Sequence, residues 1–165
     1  DTLCPRSLSL SPRIKRSSRV HPFEDVESEA SETRVFLGKL EELLLSSPVD
    51  MVLKFLYEKG DKRIEIFEDF CRKRFVPEIN HFLQSVNSYK NCVSIQDLHQ
   101  SYNDILVQHI DNESPFEINI SAFLKRDLMQ FRNNDEFWKE IQEVHYSIFD
   151  SCCSEMQELL HTNFC

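Results

Sequence analysis

The sequence predicts an all-α protein, a bundle of about seven to nine helices. Three observations carry that prediction. From about Glu32 onward, apolar residues recur at three- and four-residue spacing. Glycine is limited to Gly38 and Gly60, too few for a protein of many tight turns. No stretch alternates apolar and polar residues in the manner of a half-buried strand.

Residues 1–33 hold Ser, Pro and charge without apolar periodicity, and read as a disordered tail or linker ahead of a helical domain over 34–165. The first helix places Val35, Phe36, Leu40, Leu43 and Leu44 on one face and stops at "SSP". Met51, Val52, Phe55 and Leu56 make a short second helix, ended by Gly60. Ile64, Phe67, Phe70 and Cys71 mark the third. In "FCRKRFVPEINHF" a corner follows, and Pro77 suits the first position of a fourth helix, where its missing N–H costs nothing. That helix runs through Ile79, Phe82, Leu83, Val86 and Tyr89, with Glu78 at its positive end. "SIQD" at 94–97 is a capping box with Asp in the Glu position, opening a helix through Ile95, Leu98, Tyr102, Ile105 and Leu106. "NESPFEINIS" breaks the pattern, and Ser121 caps the helix of Leu124, Leu128 and Met129. One long last helix is expected from Asp135 to about Leu160, with Phe137, Ile141, Val144, Ile148, Met156 and Leu159 facing inward.

Charge and composition exclude several functions. Residues 1–20 carry five basic side chains against one acidic, whereas the remainder carries 14 basic and 27 acidic. So acidic a body argues against nucleic acid, because phosphate contacts need a basic face. The basic start could lean on an anionic membrane, and "RIKRSSR" resembles a site for a basophilic kinase, but a solvated tail is the commoner meaning of both. Two distant glycines cannot build a phosphate-cradling loop. No apolar run approaches the ~20 residues of a membrane span.

Candidate chemistry is thin. The six cysteines include no C-x-x-C pair, which points to free thiols in a reducing compartment. Cys153, His161 and Cys165 are too widely spaced for an ordinary zinc site, so no metal or other cofactor is expected. The histidines, His21, His81, His99, His109, His145 and His161, are scattered. His145, beside Tyr146, could face inward, where a hydrogen-bonded structural role is the commoner one. Acidic residues such as Glu41, Glu42, Glu140 and Glu143 lie at outward helical positions, and no catalytic set assembles. The chain is not expected to be an enzyme.

Four segments carry a family resemblance from about Phe36 to His161: "LGKLEELLLSSP", "FEDFCRKRFVPEINHFLQSVNSYK", "SIQDLHQSYNDILVQHIDNESPFEINIS" and "FWKEIQEVHYSIFDSCCSEMQELL". In order and spacing they resemble the RGS domain, the regulator of G-protein signalling fold; "EINIS" is the strongest piece. The resemblance implies an RGS-like bundle that binds the activated α subunit of a heterotrimeric G protein. Such a domain accelerates GTP hydrolysis by holding the switch segments, while the α subunit's own Arg and Gln do the chemistry. It also implies a cytoplasmic location at the inner face of the plasma membrane. The charged start and the finish at "HTNFC" are expected of a piece of a longer protein, one associated peripherally with that membrane.

Carried across residue by residue, the resemblance places partner contacts at Phe75, Glu78 and Asn119. The Asn that usually follows the acidic residue is replaced by Ile79, with Asn80 one position later. Ile148, or Ser147 beside it, falls at an apolar contact. Ser151 and Glu155 stand where the family often has an Asp supported by an Arg. These departures leave a second implied reading, an RGS-like interaction or scaffold module without GTPase-activating activity. "VDMVLKFLYEKGDK" is extra relative to the family pattern.

Overall fold

The computed structural model describes residues 24–58, 60–140 and 144–164. Eight α-helices succeed one another among them: α1 (Glu24–Ser46), α2 (Val49–Tyr57), α3 (Asp61–Lys73), α4 (Pro77–Lys90), α5 (Ile95–Ile105), α6 (Ala122–Met129), α7 (Asp135–Glu140) and α8 (Asp150–Phe164). A π-helical turn, Leu106–Ile110, prolongs α5, and a 3-10 turn, Val144–Ser147, precedes α8. The described residues contain no strand. None of their helices is long and apolar enough to cross a membrane.

Helix α4 is central. Its stripe of Ile79, Phe82, Leu83, Val86 and Tyr89 is buried, and it packs against α2, α3 and α5, while α1 covers α2 and α8. Pro77 occupies its first turn as the sequence predicts. Ser94 caps α5 by accepting from the Asp97 N–H at 3.0 Å, while its hydroxyl donates to the Asp97 carboxylate at 2.6 Å. Ser121 caps α6 by accepting from the Leu124 N–H.

Three sequence expectations are corrected. Among the described residues helix α1 runs from Glu24, so residues 24–33 are helical and not tail; the earlier part of that tail lies outside the described residues. Acidic side chains near a helix N-terminus favour its dipole, and Glu32 is held by Lys62 of α3. A polar helix of this kind has no apolar stripe to betray it.

The long last helix is also broken. Trp138 and Phe149, eleven residues apart, would stand about 16 Å apart along one helix. Both rings lie against Tyr102, with centroids at 4.8 and 5.6 Å. The chain therefore folds back between α7 and α8. Phe149 is fully buried and Ile148 only half-buried, so the inward position is one residue later than the periodicity indicates. Ile141 and the side chains of Val144 and His145 lie outside the described residues, as does Cys165. Val35, Met51, Ile95 and Leu159, expected inside, are exposed.

Candidate partner-docking surface

The corner between α3 and α4 closes with a pair of hydrogen bonds typical of a Schellman motif. The Val76 N–H donates to the Cys71 carbonyl at 2.9 Å and the Phe75 N–H to the Arg72 carbonyl at 3.2 Å. That motif needs a left-handed residue, usually Gly, at the position Phe75 occupies, and Phe75 has φ +60°. Its ring is 89% exposed, so burial does not offset the strain. An aromatic kept in a strained, solvated position is what a docking contact looks like. Phe75→Gly is expected to raise stability by about 1 kcal/mol in urea unfolding while weakening partner binding. Unchanged or lower stability would remove the strain argument.

Glu78 stands in the first turn of α4, half-buried, with no ion-pair partner among the described residues. The next two positions are corrected. Ile79 is 2% exposed and Asn80 1%, so as folded neither offers a side chain to a partner. Ile79 begins the apolar stripe of α4, and Asn80 turns toward α2, accepting from the Tyr57 hydroxyl at 3.2 Å. The outward position passes to His81, one turn beyond Glu78, whose ring lies 4.2 Å from that of Phe116.

Phe116 belongs to the 111–121 connection, which is held at many points. Its N–H donates to the Gln108 carbonyl at 3.1 Å, and the Ile118 N–H to the His109 carbonyl at 2.9 Å. His109 itself is 1% exposed. Its Nδ1 lies 3.2 Å from the Phe116 carbonyl and its Nε2 3.1 Å from Ser85 Oγ. A carbonyl only accepts, so Nδ1 carries the proton and Nε2 accepts from Ser85. Burial lowers the His109 pKa, with His81 adding to the effect and the Phe116 carbonyl opposing it. Ser85 and His109 thus form a hydroxyl–imidazole pair, yet the ring is closed to substrate and its other nitrogen is committed to holding the connection. Asp111 and Arg132 pair through two 2.8 Å contacts at the base, and Lys125 bonds both Asn112 and Glu117.

On this braced connection Asn119 is exposed, and its amide meets no hydrogen-bond partner among the described residues. It is therefore not the cap of its own turn, a role Ser121 fills.

Two residues beyond Asn119, the Ser121 N–H donates to Glu155 Oε2 of α8 at 2.9 Å. One turn before Glu155, Ser151 is exposed, while Ile148 packs half-buried on the core. The start of α8 is fixed by Lys90, whose ammonium lies 2.6 Å from Asp50 and 2.7 Å from Asp150. Burial works against that charge, but the two carboxylates outweigh it and hold the Lys90 pKa above its ordinary value.

Two contacts thus join three segments into one tract: His81 against Phe116 links the start of α4 to the 111–121 connection, and Ser121 with Glu155 links that connection to α8. Of the eight residues expected at a partner surface, Phe75, Glu78, Asn119 and Ser151 offer exposed or half-exposed groups on this tract. Ile148 is partly covered, Glu155 is engaged inside the protein, and Ile79 and Asn80 are core. His81 and Phe116 were not foreseen; the aromatic in the middle of the polar "NESPFEINIS" is the only local sign of them.

Compared directly with curated protein sequences, the chain finds no match. The family model of the Regulator of G protein signaling domain matches residues 53–164, more than half of the chain and every element from α3 to α8. The chain belongs to the RGS domain family, whose proteins regulate G-protein signalling.

Proposed function

We propose that this domain binds the GTP-bound α subunit of a heterotrimeric G protein at the cytoplasmic face of the plasma membrane and accelerates its GTP hydrolysis. It would do so by holding the switch segments in their transition-state arrangement, leaving the chemistry to the α subunit's own residues. The observation that carries this reading is Asn119, an amide with no hydrogen bond among the described residues, on a connection braced from both sides, with the Glu78 corner on one flank and α8 on the other. Because its backbone is already held, a polar group of this kind meets a partner at the cost of ordering its side chain alone.

One observation favours the second reading, a binding module without GTPase-activating activity. Ser151 is exposed where the resemblance expects a carboxylate, so one charged contact to the switch backbone is missing. Single-turnover GTP hydrolysis by a panel of α subunits, with the domain in excess, separates the two. Faster hydrolysis by any α subunit supports the activator. A folded domain that accelerates none of them leaves the binding module.

A further inference from the structure

We infer that Glu155 is a positioning residue for Asn119, closing from α8 a capping box that α6 cannot close for itself. In an ordinary capping box the cap Ser or Thr accepts from the N–H three residues on, and a Glu or Gln at that third position returns a bond to the cap residue's own N–H. The first half is present at α6, where Ser121 accepts from the Leu124 N–H. The second half is impossible in sequence, because Leu124 has no acceptor. Glu155, thirty-four residues away, supplies it: its Oε2 accepts from the Ser121 N–H at 2.9 Å. At the equivalent place on α5, Ser94 has an acidic side chain, Asp97, within its own first turn.

The charge sign follows from the geometry. A carboxylate at the N-terminus of α6 is favoured by the helix dipole, and a cation there is opposed by it. The bond also joins α8 to the one end of the 111–121 connection that the His109 and Arg132 contacts do not reach. Asn119 sits between Ile118, bonded to the His109 carbonyl, and Ser121, bonded to Glu155. Its amide is therefore presented between two anchors. Glu155 acts on the partner through this connection and not by touching it.

The effect on the partner rests on the proposed function, whereas the strap itself does not, and the test has one arm for each. Amide hydrogen exchange, followed by NMR on the 165-residue chain, is compared for wild type, Glu155→Ala, Glu155→Gln and Glu155→Arg. Exchange at Ser121 is expected to rise about fivefold in Glu155→Ala, as for loss of a cap. It should rise further in Glu155→Arg and less in Glu155→Gln, which keeps a carbonyl acceptor, with Asp97 unchanged as the internal control. Retained protection at Ser121 in both the Ala and Arg variants overturns the inference. In the second arm, affinity for a responsive α subunit is measured around the Glu155→Ala and Asn119→Ala cycle. Glu155→Ala should weaken binding several-fold when Asn119 is present and less than twofold when it is absent. Full additivity overturns the positioning role and makes Glu155 a direct contact. If no α subunit binds the wild type, the proposed function falls, and the exchange arm still decides the strap.

Discussion

A chain carrying both Glu78→Ala and Asn119→Ala is expected to lose at least about thirtyfold in its acceleration of α-subunit GTP hydrolysis. Under the proposed function each residue offers one polar group to the partner, and Glu78 brings a charge. A charge-assisted hydrogen bond lost from a desolvated interface costs about 1–3 kcal/mol, so two together reach about thirtyfold or more in affinity. The fold should hardly notice. Asn119 makes no hydrogen bond among the described residues. Glu78 contributes only its place near the positive end of α4, worth about 0.3–1 kcal/mol, or about 1–4 °C in a domain of this size. Thermal melts by circular dichroism on the same samples make the comparison. If helix content falls in step with activity, both residues are conformational and the docking surface lies elsewhere. If activity survives with helix content intact, the α3–α4 corner and the 111–121 connection are not where the α subunit binds.

What could be read from the sequence was whatever is decided locally. Pro77 at the start of α4, Ser94 with Asp97, and Ser121 before α6 are each fixed by a few adjacent residues, and each stands where expected. The apolar stripe of α4 is equally local, since one face repeats every three or four residues. The misses are of three kinds. The first turns of α1 are helical without an apolar stripe, so periodicity is blind to them. The corner at Phe75 takes a left-handed residue without the glycine that would announce it. The break before α8 is a tertiary demand: Trp138 and Phe149 fall on nearly the same face of an unbroken helix, and only the position of Tyr102 forces the chain back. At the docking surface the same division holds. Glu78 and Asn119 are expected there from flanking motifs, whereas His81 on Phe116 and Glu155 on Ser121 join residues 35 and 34 positions apart and leave no trace in either segment alone. Ile79 and Asn80 were misplaced because one transposed pair at a helix start turns a polar contact inward.

The broken last helix makes the largest stability prediction. Phe149→Ala is expected to destabilise the domain by about 3–5 kcal/mol, and Ile148→Ala by far less. Phe149 is fully buried, edge-on to Tyr89 at 5.1 Å and to Phe82 at 6.3 Å, and tilted against Tyr102 at 5.6 Å. It therefore ties the start of α8 to both α4 and α5, and truncation leaves a cavity among rings that cannot relax far to fill it. Ile148 only edges the core. A continuous helix from Asp135 would reverse the order, because its periodicity puts Ile148 inward and Phe149 to the side. Urea unfolding of the two variants decides which geometry the chain adopts. Phe149→Leu, which keeps most of the volume, should recover a large part of the loss. Partner binding adds a second readout, because Lys90 holds Asp150 independently of the ring. A Phe149→Leu variant that stays folded should then present Ser151 and Glu155 much as the wild type does. Loss of binding in that variant would mean that the ring, and not the ion pair, sets the position of α8 against the Asn119 connection.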